Sequence, residues 1–139
     1  MLKKGLCSLC LILGFIGFSQ EKVKVETPLI LKKLFYKDSV MVNNYVVKFS
    51  DVVTDSRCPK NVTCVWAGEV VFKLEVIKNK TRINIQTFKI PPTSYTIQER
   101  KTLTIEGEEL LYLYNVLPFP EADKNIEKTD YYLQFSGVN

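Results

Sequence analysis

From residue 20 onward, apolar and polar positions alternate in short runs broken by turn residues, and nothing there sustains a helical period. The pattern predicts an all-β domain. Residues 22–26 and 29–36 are the first expected strands, with Pro28 between them fit only for an edge or a bend. Asp38 and Ser39 are expected to turn the chain into a strand over 44–53, with Tyr45, Val47, Phe49 and Asp51 on one face. Residues 65–77 carry the strongest pattern: Val70, Phe72, Leu74 and Val76 point one way, and Glu69, Lys73 and Glu75 the other. Asn79-Lys80 predicts a tight hairpin into residues 82–88, which places Ile83 and Ile85 against the same core. Shorter strands are expected at 95–98 and 101–106. The run 110–117 is apolar on both faces and reads as a central strand, and 131–138 closes the domain with Tyr131, Leu133 and Phe135 on one face. Seven or eight short strands predict a two-sheet antiparallel β-sandwich (immunoglobulin-like) or a small β-barrel, with the sandwich preferred.

The first nineteen residues follow a different rule. Lys3 and Lys4 precede an apolar stretch too short to span a bilayer, and Gly17-Phe18-Ser19 offers small residues where a signal peptidase reads. This predicts a signal peptide over 1–19 and a single mature domain over 20–139, exported to the periplasm, the cell surface or the medium, with no membrane span after cleavage. Cys10 sits inside the apolar run rather than at its end, so no lipid-attachment cysteine is expected. Formal net charge is +4, and removing Lys3 and Lys4 leaves +2, with both signs interspersed. That argues against nucleic acid as a partner.

The chain contains no histidine, which removes the usual general base near neutral pH and the commonest zinc ligand. Cys58 and Cys64, the two cysteines that survive cleavage, are expected to form one disulfide and so leave no free thiol. Ser-His-Asp hydrolases, Cys-His proteases and His-based metalloenzymes are excluded on inventory, and no catalytic residue, cofactor or metal site is assigned.

The densest chemistry lies in RCPKNVTCVWAGE, from Arg57 to Glu69. Read as a staple, Cys64 opens the next strand, Trp66 shares its face, and the indole is buried against the sulfurs, as in immunoglobulin-type sandwiches. Read as a binding knuckle, Arg57 and Lys60 take an anionic group, Trp66 stacks on a ligand, and Asp55 and Glu69 meet a cation or a sugar hydroxyl. Arg57 with Asp55 or Glu69 also fits an ion pair that holds a loop. Two further readings stay open: a carbohydrate-active or calcium-dependent enzyme built on Asp51, Asp55 and Glu69, and a protease inhibitor presenting Lys60 and Asn61 on the disulfide loop.

DSRCPKNVTCVWAGEVVFKLEV at 55–76, LLYLYNVLPFP at 110–120 and DYYLQF at 130–135 resemble a group of small exported bacterial proteins, many of them lipoproteins. These share an Arg-Cys-Pro, Cys-x-Trp-Ala-Gly block and a later Leu-x-x-Val-x-Pro-x-Pro block. Phe119 stands here where the resemblance leads one to expect Tyr. The resemblance implies export, the disulfide and an all-β domain, and brings no catalytic residue. The expected protein is a monomeric, non-enzymatic binding or envelope-associated module, whose partner is a protein or glycan of the cell envelope. Its expected contact surfaces are the cysteine block and the loop 118–128.

Overall fold

The computed structural model describes residues 29–92 and 100–138. The signal segment and the strands expected at 22–26 and 95–98 fall outside the described residues. Eight antiparallel strands build two four-stranded sheets: β1 (Lys32–Phe35), β2 (Ser39–Val42), β3 (Tyr45–Asp55), β4 (Val70–Lys78), β5 (Thr81–Ile90), β6 (Lys101–Ile105), β7 (Glu108–Leu117) and β8 (Tyr132–Gly137). One sheet runs β1-β8-β7-β6 and the other β2-β3-β4-β5. The two sheets form a β-sandwich whose connectivity is a meander in which most consecutive strands are neighbours.

The inner faces follow the alternation. Val70, Phe72, Leu74 and Val76 are fully buried and pack with Tyr45, Val47 and Phe49 of β3. From the facing sheet, Leu103, Leu111, Leu113, Val116, Leu133 and Phe135 complete the core. Phe49 meets Phe72 edge-on at 5.8 Å, and Phe72 stacks on Phe88 at 5.7 Å, geometries that aromatic quadrupoles favour. As expected, β7 is central, between β6 and β8. A register shift between Leu113 and Asn115 changes its phase, so that Val116 turns inward opposite Leu133.

Three expectations fail for identifiable reasons. β2 is a strand of its own, joined to β3 through Asn43 at φ 53, where the sequence pattern predicts only a turn. Ile83 and Ile85 do not face the core: they are 42% and 44% exposed. The Asn79-Lys80 hairpin forms, with both residues at positive φ, and an unbroken ladder from it would set Ile83 opposite Val76 and Ile85 opposite Leu74. Instead the register slips between Val76 and Ile77, so Asn84 faces Val76 and Gln86 faces Leu74. One extra residue inverts every later side chain. Phe88 thereby meets Phe72 and Ile90 meets Val70, whereas the unbroken register would have driven Lys89 inward. Lastly, β4 starts at Val70 rather than at residue 65, with consequences for the cysteine block.

The strands alternate in direction, so the tight turns at 43–44, 79–80 and 106–107 gather at one end. The long connections 56–69 and 118–131 gather at the other. The candidate chemistry is therefore concentrated at one end of the sandwich.

Candidate functional site

Asp55 closes β3, and Arg57 folds back on it. The guanidinium forks the carboxylate, with Nε donating to Oδ1 at 2.8 Å and Nη2 donating to Oδ2 at 2.6 Å. Its remaining donors cross to the other sheet: Nη1 reaches the Val116 carbonyl at 2.6 Å and Nη2 the Pro118 carbonyl at 3.1 Å. The Phe119 ring lies under the guanidinium at 4.6 Å, and the Tyr131 hydroxyl donates to Asp55 Oδ2 at 3.0 Å. Arg57 is 2% exposed. It is thus no recognition fork for a ligand but an internal ion pair that ties the end of β3 to the end of β7 and the start of β8. A planar donor fork is the side chain that can satisfy a carboxylate and two carbonyls together.

That anchor seats the disulfide loop. Cys58 and Cys64 are bonded with Cα atoms 5.9 Å apart, as expected. One limb runs beside the 118–131 loop, where Lys60 N–H donates to the Pro120 carbonyl at 2.9 Å and Lys60 pairs with Glu121 in a parallel bridge. The other limb doubles back: Ser56 N–H donates to the Glu69 carbonyl at 2.9 Å, and Cys58 N–H to the Ala67 carbonyl at 2.9 Å. Gly68 makes this return possible. Its φ is +73, and a Cβ there would lie 1.8 Å from the Ser56 carbonyl oxygen.

Trp66 is consequently not packed as expected. Residues 65–69 are not strand, so the alternation that set Trp66 on the face of Cys64 does not apply, and the disulfide lies in a loop rather than between sheets. Trp66 is 77% exposed and Val65 97%, just after the disulfide ring, and Val62 within the ring is half-exposed. The backbone is pinned while the apolar side chains point to water.

The remaining predicted acids are each engaged by a different partner. Glu69 pairs with Lys89 at 3.0 Å, and Asp51 with Lys128 at 2.7 Å, each at the surface. Lys128 holds the Asp51 carboxyl below its usual range. Asp55 is enclosed by Arg57 and Tyr131. Each acid thus has its own partner, and the cavity of about 170 Å³ bordered by Asp55 is bordered by neither Asp51 nor Glu69. Among the described residues, no three His, Cys, Asp or Glu side chains group as a metal site. Lys60 and Asn61 border a cavity of about 430 Å³ with Glu121, Ala122, Asp123 and Lys124. Asn61 lies in a turn at φ 64, not in extended backbone.

Burial, and then the neighbouring Asp55 carboxylate, push the Tyr131 hydroxyl up to about 12 from 10.0. The folded chain therefore holds this proton more tightly than the unfolded chain, and the associated stability is intact below about pH 10 and lost as pH rises towards 12. Urea midpoints at about pH 9 and about pH 11, on either side of the unfolded tyrosine's titration, should show a fall in wild type that is clearly smaller in Tyr131→Phe. An equal fall in both would remove Tyr131 as the titrating group.

Comparison of the chain with protein-family models, with curated proteins and with solved structures finds no match. Among the described residues, no helix is long and apolar enough to cross a membrane.

Proposed function

We propose that the protein is an exported, non-enzymatic binding module that engages a protein of the cell envelope through the tip formed by Val65 and Trp66. The observation that carries this reading is a nearly bare valine and tryptophan, consecutive in the chain, between the Cys58–Cys64 disulfide ring and Ala67, whose carbonyl accepts from Cys58 N–H. Ordering a loop on association opposes binding, and a preorganised loop avoids most of that penalty. Exposed tryptophan on such a loop is the residue type that anchors protein interfaces. The aliphatic neighbours Val62 and Val65 favour an apolar protein pocket over a sugar ring, which would call for polar donors beside the indole. Export is supported by the basic and apolar pattern of residues 1–19, and a disulfide fits an oxidising compartment.

Trp66→Ala should shift the unfolding free energy by less than about 1 kcal/mol, as for exposed side chains. It should weaken partner binding by about 2 kcal/mol or more, roughly thirtyfold. Quantitative affinity enrichment from envelope extract, run with wild type, Trp66→Ala and the distant surface variant Met41→Ala, tests both halves. A partner retained by Trp66→Ala as well as by Met41→Ala would overturn the assignment. A large loss of stability would return Trp66 to a structural role.

A further inference from the structure

We infer that the free edge of β5 accepts an extended, acidic segment of a partner protein as an added strand. Among the described residues, three of the four sheet edges are short: β1 and β2 have 4 residues each and β6 has 5, whereas β5 has 10. Short edges present few unpaired backbone groups. Among the described residues β5 pairs only with β4, and its residues Thr81 to Ile85 are all exposed. β6 is treated differently, since the Gln86 side chain donates to its Thr104 carbonyl at 2.8 Å.

Two features on β5 go beyond an unprotected edge. The bulge turns Ile83 and Ile85 outward, giving the edge two exposed β-branched side chains on the outer face, beside which an added strand would lay its own alternate residues. Charge then selects the occupant. From Val76 to Gln98 the sequence contains no Asp or Glu, while Lys78, Lys80, Arg82 and Lys89 fall within it. Arg82 and Lys89 reach Glu75 and Glu69 at 3.7 Å and 3.0 Å while remaining mostly exposed, so these pairings are weak. A second copy of β5 would bring cations against cations, the arrangement by which edge lysines discourage self-pairing. A segment alternating Glu or Asp with apolar residues complements both the charge and the isoleucines.

The test uses the mature chain and the peptide acetyl-Glu-Val-Glu-Val-Glu-Val-Glu-amide, with its lysine-for-glutamate counterpart as control. Amide hydrogen exchange read by two-dimensional NMR should show alternate amides of residues 84–89 slowed about tenfold or more by the acidic peptide and far less by the basic one. Arg82→Glu combined with Lys89→Glu, both at exposed sites, should reverse the preference. Failure of the acidic peptide to slow β5 amides, equal slowing by both peptides, or a preference unchanged by charge reversal would overturn the inference. So would protection of β5 that grows with protein concentration without peptide, which would assign the edge to a second copy. The outcome is independent of the Trp66 tip, because Trp66→Ala leaves β5 intact.

Discussion

Replacing Arg57 with alanine is expected to destabilise the domain by about 3 to 5 kcal/mol, the range for removing one partner of a buried ion pair. The guanidinium side chain is fully enclosed and Asp55 is nearly so. Without it, the Asp55 carboxylate keeps the Tyr131 hydroxyl but loses its counter-charge, and the Val116 and Pro118 carbonyls lose the donors that reach them across the sandwich. Arg57→Lys keeps the charge but not the fork, so it should recover only part of the loss. Adding Asp55→Asn to Arg57→Ala removes the stranded charge and should restore stability relative to Arg57→Ala alone. Urea unfolding of wild type and the three variants measures this. A loss below about 1 kcal/mol for Arg57→Ala, the scale of a surface pair, would show that the junction does not depend on the ion pair.

That ion pair is half legible in the sequence. An ion pair of Arg57 with Asp55 or with Glu69 follows from residue type and spacing. Their burial does not, because it depends on Val116, Pro118, Phe119 and Tyr131, which arrive from far later in the chain. Strand faces show the same division. Val70 to Val76 read correctly because a two-residue period maps directly onto an inner face. Ile83 and Ile85 read wrongly because the bulge is decided by the competition of Phe88 and Ile90 with Lys89 for the core, a comparison that periodicity within one strand does not contain.

The bulge and the tip also share a physical logic. In each case the chain departs from unbroken strand geometry, and apolar side chains that alternation assigns to the core end up facing solvent. At β5 the departure is made by an extra residue, and at the cysteine loop by a left-handed glycine. Both departures are stabilised by buried groups nearby, Phe88 and Ile90 in one case and the Arg57 junction in the other. The exposed residues are therefore held in place by the fold and are not slack in it, which is why both surfaces are proposed to meet partners.

Gly68→Ala should be a second strongly disruptive change in the 56–69 connection, costing on the order of 3 kcal/mol or more. Left-handed backbone alone penalises an L-residue by about 1 to 2 kcal/mol. The added methyl also meets the Ser56 carbonyl oxygen at 1.8 Å and the Arg57 Cα at 2.9 Å, backbone atoms that no rotamer change can move aside. The limbs must separate, breaking the Ser56–Glu69 and Cys58–Ala67 hydrogen bonds and displacing the residue that precedes the buried guanidinium. Gly107→Ala supplies the control. Gly107 has φ +84, and among the described residues no heavy atom comes within 4 Å of where its methyl would sit, so it bears the backbone penalty without the collision. The difference between the two variants in denaturant melts isolates the close approach, and Trp66, the sole tryptophan, reports on the loop through its emission and anisotropy. Gly68→Ala should release the indole and raise its mobility while Gly107→Ala leaves it unchanged. If the two variants prove equally stable with the same fluorescence, the loop is not held by this contact, and the preorganisation on which the proposed function depends is lost with it.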